Sequence, residues 1–229
     1  MAGTLEQIKG CIFNLDGVIV DTAKYHYIAW RRLANQLGFD FSADRHEELR
    51  GLSRMASLEK ILEWGDMYMT EAEKLHWSDV KNNWYVEMIS NLKPADVLPG
   101  VVLFLRQVRE AGMKLALASA SRSARQVLHT TKLEDFFDTI IDGNSTRKAI
   151  PDPESFILAA RAIRLQPQEC LVFEDAALGV TAALAGGFHV VGIGNPDYLP
   201  KAHLVISGFD ELSFTGLMAR VQEADYSHI

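Results

Sequence analysis

A chain of 229 residues with 48% hydrophobic and 23% charged residues holds enough material for one buried core plus an insertion. Its net charge of −7 argues against general nucleic-acid binding but leaves phosphate ligands open, because a few local donors override a global field. No apolar run reaches membrane-spanning length and the N-terminus lacks a charged-then-apolar signal, so no membrane partner and a cytoplasmic location are expected. Cys11 and Cys170 sit in apolar, strand-like runs and read as buried reduced thiols.

Short apolar runs of strand type recur at Gly10–Leu15, Lys114–Ala118, Thr139–Ile141, Cys170–Phe173, His189–Ile193 and Leu204–Ile206. Beyond residue 90 they alternate with helical stretches, Val101–Ala111, Ser123–Thr131, Pro153–Arg164 and Ala176–Ala185. This alternation predicts an α/β fold, a doubly wound Rossmann-like parallel sheet with functional groups at the carboxyl ends of its strands. The stretch from Thr22 to about Leu92 breaks the rhythm. Ala23–Leu37, Ala43–Leu49, Met55–Trp64 and Thr70–Ser90 are all helical in pattern, and Asn91–Gly100, with two prolines and a terminal glycine, reads as the returning linker. The expected division is a core of residues 1–20 and 93–229, with an all-helical cap of residues 21–92 inserted after the first strand as a lid.

Polar residues collect where these strands end. Asn14 and Asp16 lie two apart after the first apolar run, on one side of an extended chain, and Gly17 permits a sharp turn beside a ligand. Two carboxylates here would divide a phosphoryl transfer between nucleophile and proton carrier; Asn14 supplies an amide, a very poor nucleophile. After Lys114–Ala118 come Ser119, Ala120 and Ser121, which read as a phosphate site at a helix N-terminus or as a helix cap. After Cys170–Phe173 come Glu174 and Asp175, either oxygen ligands for Mg²⁺ or, for Asp175, another cap. Lys148 and Ile150 precede Asp152-Pro153, a helix start. Asp21-Thr22 stands at the mouth of the insertion.

In their order along the chain these segments resemble the haloacid dehalogenase superfamily of phosphotransferases, and most closely its β-phosphoglucomutase branch, over essentially the whole chain. The Asp-x-Asp-Gly-Val motif of that family reads Asn14-Leu15-Asp16-Gly17-Val18 here. Its second motif resembles Leu117–Ser121, its third, usually Lys-Pro-x-Pro, reads Ile150-Pro151-Asp152-Pro153, and its fourth resembles Glu174-Asp175. Thr22, His26 and Trp30 resemble the hinge and first helix of the mutase cap, Arg50-Gly51-Leu52-Ser53-Arg54 with Ser57 its substrate-reading loop, and Lys81-Asn82 a later cap position facing the substrate.

The resemblance implies interconversion of β-glucose 1-phosphate and glucose 6-phosphate through a bisphosphate intermediate and an aspartyl phosphate. It implies Mg²⁺ held at positions 14, 16, 174 and 175. It gives Asp16 the role of general acid/base, and Ser119 and the third-motif lysine that of holding the transferring phosphoryl group. Thr22, His26, Trp30, Gly51, Arg54, Ser57, Lys81, Ser119, Ala120 and Ser121 would contact the sugar phosphate; Arg54 suits the distal phosphate, because a guanidinium fork matches phosphate oxygens. His26 would couple cap closure to Asp16.

Two positions depart from the pattern. Asn14 stands where the nucleophile belongs and Ile150 where the lysine belongs. Loss of both leaves the local charge sum unchanged and spares the fold. Lys148 is a candidate replacement cation, but two extended residues move a side chain about 6–7 Å. The chain is therefore expected to be a mutase by ancestry and impaired as written. A catalytically silent sugar-phosphate-binding protein and a sugar-phosphate phosphatase are the alternatives. A monomer is expected, since a moving cap needs free space.

Overall fold

The computed structural model describes residues 8–210 and 212–226. Residues 1–7 of the expected core segment lie outside that range. The elements in chain order are β1 (Gly10–Phe13), α1 (Ala23–Gln36), α2 (Ala43–Glu47), α3 (Arg54–Trp64), α4 (Glu71–Ile89), α5 (Val101–Glu110), β2 (Lys114–Ala118), α6 (Ala124–Thr131), β3 (Thr139–Ile141), α7 (Glu154–Ala162), β4 (Cys170–Glu174), α8 (Ala177–Ala185), β5 (His189–Ile193), β6 (Leu204–Ile206) and α9 (Phe214–Tyr226).

The six strands form one sheet, ordered β3-β2-β1-β4-β5-β6 and parallel at every pairing. Every residue of β1 and β4 is buried, as a parallel sheet covered on both faces requires. Side chains alternate between the two layers. Cys11 and Phe13 of β1 join Leu171 and Phe173 of β4 on one face, where Phe13 and Phe173 stack with centroids 4.5 Å apart. Ile12 and Val172 face the other layer, with Phe156 of α7 and Val180 of α8. Each such aromatic, fully buried, contributes on the order of 1.5–3 kcal/mol by leaving water. Cys11 and Cys170 are both buried free thiols.

The first strand is shorter than the apolar run Gly10–Leu15. The strand ends at Phe13: Asn14 makes one last bond to β4, its N–H donating to the Phe173 carbonyl at 3.0 Å, and the chain then turns, Leu15 O accepting from the N–H groups of both Ile19 and Val20. Helix α9 is absent from the reading by periodicity; its buried Phe214, Leu217 and Val221 return to the Phe104 side of the sheet.

Helices α1–α4 occupy residues 23–89 and carry an apolar cluster of their own, including Trp30, Leu33, Phe41, Leu58 and Ile61. Thr70 and Glu73 form a reciprocal capping box that fixes the start of α4. The C-terminal part of α4 behaves differently: Tyr85 and Ile89 pack into the cluster beneath the sheet. We propose the division at residues 21 and 92 with that qualification, α4 being the element that ties cap to core.

Candidate functional site

Register decides what meets at the top of the sheet. Phe13 of β1 pairs with Leu117 of β2 on one side and Phe173 of β4 on the other. The residues that follow therefore emerge side by side: Asn14, the Ala118-Ser119 step, and Glu174-Asp175. Strand order reverses between β1 and β4, the place where doubly wound sheets open a crevice.

A cavity of about 150 Å³ occupies that crevice. From the core it is lined by Asn14, Asp16, Ala120, Ser121, Ile150, Glu174 and Asp175. From the cap it is lined by His26, Trp30, Gly51, Arg54, Ser57 and Lys81. Two expected residues stand just behind the wall. Thr22 is fully buried and its hydroxyl donates to Asp16 Oδ1 in a very short contact. Ser119 is buried and its Oγ accepts from the Ser121 N–H at 3.1 Å.

A second compartment, about 230 Å³, shares His26, Arg54, Lys81 and Ile150 with the first and adds Tyr85, Arg122, Arg147 and Lys148. The first compartment is carboxylate-rich at its floor; the second is cationic. Lys148 does not turn back toward Asn14: its Nζ pairs with Asp152 Oδ2 at 3.0 Å and its side chain is mostly exposed. Ile150 presents an apolar wall to both compartments and packs against the layer containing Phe156.

Glycine is required where the floor turns. Gly17 has φ of +72°, and a Cβ there would run into the Asp175 carboxylate. The capping role for Asp175 does not hold, since Ala176 is the N-cap of α8 and no side chain caps that helix. Ser121 does act locally, its Oγ accepting from the Ser123 N–H at 3.3 Å.

Burial dominates the electrostatics. It pushes the Asp16 carboxyl up to about 7, helped by the neighbouring Asp175 charge and opposed by Lys81. It raises Asp175 to about 6 against the pull of Arg50 and of the Asn14 hydrogen bond. Glu174, fully buried, is raised well above the usual carboxylate range by the same burial and then by Asp175. In the cap, Lys81 is 1% exposed and burial, then Arg54, brings it down to about 7. Its partners are His26 Nδ1 at 2.9 Å and the faces of Trp30 and Tyr85, at 4.4 and 5.0 Å. Burial and that ammonium hold His26 neutral, so Nδ1 accepts and Lys81 donates.

The four positions expected to hold Mg²⁺ gather on the floor, but their donor geometry does not suit a resident cation. Asn14 Nδ2 donates to Asp175 Oδ1 and to the Asp16 carbonyl, both at 3.3 Å, so its protons face the oxygens a metal would need. Asp175 Oδ2 lies 3.6 Å from Arg50 Nη1. Among the described residues no three His, Cys, Asp or Glu side chains are grouped so as to hold a metal ion.

Two lining residues were not singled out from the sequence, His46 and Leu49, and Arg50 was named only as the first residue of the substrate-reading loop. His46 lies in the helical stretch Ala43–Leu49, whose pattern says nothing about which of its charged residues faces the cavity. Only the packing within the cap, where His46 lies against Tyr27 and Phe41, shows that burial, then Arg50, lowers His46 to about 4. Tyr85 was likewise unread; it lies fully buried with its ring stacked on His26 at 4.0 Å.

A model of the haloacid dehalogenase-like hydrolases matches residues 8–187. The β-phosphoglucomutase of Bacillus subtilis (strain 168) is 39% identical over 208 residues, covering 90% of this chain and 92% of the relative. A phosphorylated carbohydrates phosphatase of Thermotoga maritima is 30% identical, covering 79% of this chain and 82% of its own. The crystal structure of a β-phosphoglucomutase from Clostridium difficile superposes with a TM-score of 0.88 at 39% identity, covering 96% of this chain and 98% of that one. With the strand order, the site at the switch point and these relatives in agreement, the chain belongs to the haloacid dehalogenase-like hydrolase family, a family of enzymes.

Proposed function

We propose that the chain is a β-phosphoglucomutase-type phosphotransferase in its architecture, and that as written it binds a phosphorylated hexose without turning it over. The observation that carries this is the pairing of an intact binding wall with an amide at position 14. Asn14 directs its nitrogen at Asp175 and has no oxygen able to form an acyl phosphate, so the covalent step has no nucleophile. Ile150 leaves no cation beside it, which by itself costs on the order of a hundredfold in rate.

Around that floor the remaining roles are filled. Asp16, raised to about 7, is poised to give and take a proton near neutral pH, with the Thr22 hydroxyl fixing its carboxylate. Ser121 lines the cavity where an incoming phosphoryl group would sit, with Ser119 behind it accepting from the Ser121 N–H. Arg54 and Lys81 reach in from the cap, and the cationic second compartment suits the far phosphate of a two-ended ligand. Members of the family generally use Mg²⁺; given the donor geometry, no step here is routed through it. No helix among the described residues is long and apolar enough to cross a membrane. A cytoplasmic monomer is the state that goes with this reading.

The test is a mutase assay with β-glucose 1-phosphate, Mg²⁺ and a trace of glucose 1,6-bisphosphate, run on the chain as written and on Asn14→Asp/Ile150→Lys. Turnover in the double variant alone supports the proposal. Robust turnover in both removes Asn14 as the barrier, and silence in both removes the mutase ancestry.

A further inference from the structure

Arg50 belongs to the cap, in the bend between α2 and α3, yet its guanidinium reaches the floor of the core. Nη1 lies 3.6 Å from Asp175 Oδ2, while Nε lies 3.1 Å from Glu47 Oε2 within the cap. The other oxygen of Asp175 accepts from Asn14 Nδ2 at 3.3 Å. Both oxygens of this carboxylate, whose side chain is 10% exposed, therefore face nitrogen donors of the chain itself. The amide orientation is dictated by its surroundings. Turning Asn14 over would set its oxygen against the Asp175 carboxylate and the Asp16 carbonyl, two acceptors with no proton to share. An aspartate at position 14 would meet the same two acceptors and would need a cation between them.

Charge around the cavity fits this arrangement. Its lining holds three carboxylates, Asp16, Glu174 and Asp175, and, besides the histidines His26 and His46, three basic side chains, Arg50, Arg54 and Lys81. Lys81 and Arg54 also enter from the cap, where Lys81 contacts His26 and Arg54 pairs with Asp79. Arg50 alone among these cations is paired with a floor carboxylate. Gly51, with φ of +77°, follows directly and packs its α-carbon side against Ala176 and Leu178, which brings the Arg50 segment against the start of α8.

We propose that Arg50, assisted by the Asn14 amide, takes the place of a divalent cation at Asp175, so that the cap is drawn onto the core and the phosphorylated ligand is held without Mg²⁺. The first part stands on the geometry of the floor; the identity of the ligand rests on the function proposed above. Substituting Asn14 thus does two things at once: it removes the nucleophile and it supplies a donor that a carboxylate cannot.

The experiment uses the full chain without ligand. Mg²⁺ is titrated by calorimetry, and Mn²⁺ uptake is followed by electron paramagnetic resonance. The chain as written and Arg50→Lys are expected to show no saturable uptake, and Asn14→Asp/Arg50→Ala to take up one ion. Circular dichroism checks that each variant is folded, and Arg50→Gln offers a second neutral replacement at this half-exposed position. Saturable uptake by the chain as written overturns the proposal, as does a folded double variant that takes up no metal. Glucose 6-phosphate is then titrated into the chain as written in EDTA and in Mg²⁺. Equal affinity is expected, and binding that appears only with Mg²⁺ overturns the proposal. Absence of sugar-phosphate binding in both buffers, with metal uptake following the expected pattern, would remove the ligand reading and leave the cation substitution standing.

Discussion

The two walls of the cavity have fared differently. On the function proposed above, the core wall lacks the atoms that make and break bonds: an amide stands at position 14 and an aliphatic chain at position 150. The cap wall keeps Arg54, Ser57, Lys81 and His26, all still turned into the cavity. The contrast teaches that covalent chemistry hangs on one or two atoms, whereas recognition is spread over many contacts from several helices. A single substitution abolishes the first and only weakens the second.

The largest effect that would break this contrast is restoration of turnover. Asn14→Asp/Ile150→Lys is expected to exceed the chain as written by on the order of ten thousandfold or more in mutase rate, as for other enzymes that regain a missing nucleophile. Asn14→Asp alone should fall short of the double variant by on the order of a hundredfold, the worth of one charge contact to the transferring group. A coupled assay for glucose 6-phosphate reads both.

Next comes the cap wall. Arg54→Ala in the chain as written is expected to weaken hexose-phosphate binding by about 2–3 kcal/mol, measured by calorimetry, while thermal stability changes little because the Arg54–Asp79 pair at 3.4 Å involves a mostly exposed aspartate. An unchanged affinity would mean that recognition does not reside in the cap.

A pH experiment sharpens the comparison further. Lys81 is brought down from its ordinary 10.5 to about 7 by burial and by Arg54. Between those values the unfolded chain binds a proton that the folded chain does not, so the contribution of Lys81 to stability should rise with pH from about 7 to about 10. Asp16 acts on the acid side: raised from 3.8 to about 7, it binds a proton in the folded chain that the unfolded chain has lost, so its contribution falls as pH rises through that window. Lys81→Met should abolish the alkaline rise in urea-unfolding free energy, an effect on the order of a few kcal/mol, and extend the acid branch to higher pH, because Lys81 opposes the rise at Asp16. A slope that persists in Lys81→Met would assign it elsewhere.

The smallest effect separates cap folding from cap function. Thr70→Ala removes the capping box at the start of α4, far from the cavity, and should cost about 1 kcal/mol in unfolding without altering ligand affinity. A matching loss of affinity would show that α4 transmits its stability to Lys81.

Much of this molecule was legible one segment at a time. Six apolar runs became six strands, and four helical patterns after residue 90 became the crossovers, because hydrophobic periodicity is local and a parallel sheet buries its strands on both faces. The cap was legible as a break in that rhythm. The loops proposed as catalytic were legible because each follows a strand end and their order resembles the family's motifs, and the register of those strands carries them to one edge. Helix α9 escaped because nothing in the alternation calls for a last helix, and its buried face is set by the sheet layer it returns to.

By itself the sequence determined the strand–helix order and the inserted helices, since each is a property of adjacent residues, and its resemblance to the family is what marked Asn14 and Ile150 as the proposed nucleophile and cation positions. Only the tertiary structure decided that Arg50 faces Asp175, that Lys148 turns to Asp152 and away from the floor, and that Lys81 is buried against His26, Trp30 and Tyr85. Apart from the short Lys148 step, these contacts join segments far apart in the chain. Charged side chains carry no periodicity that says which of them a closing cap will enclose; burial and the partners it brings decide that.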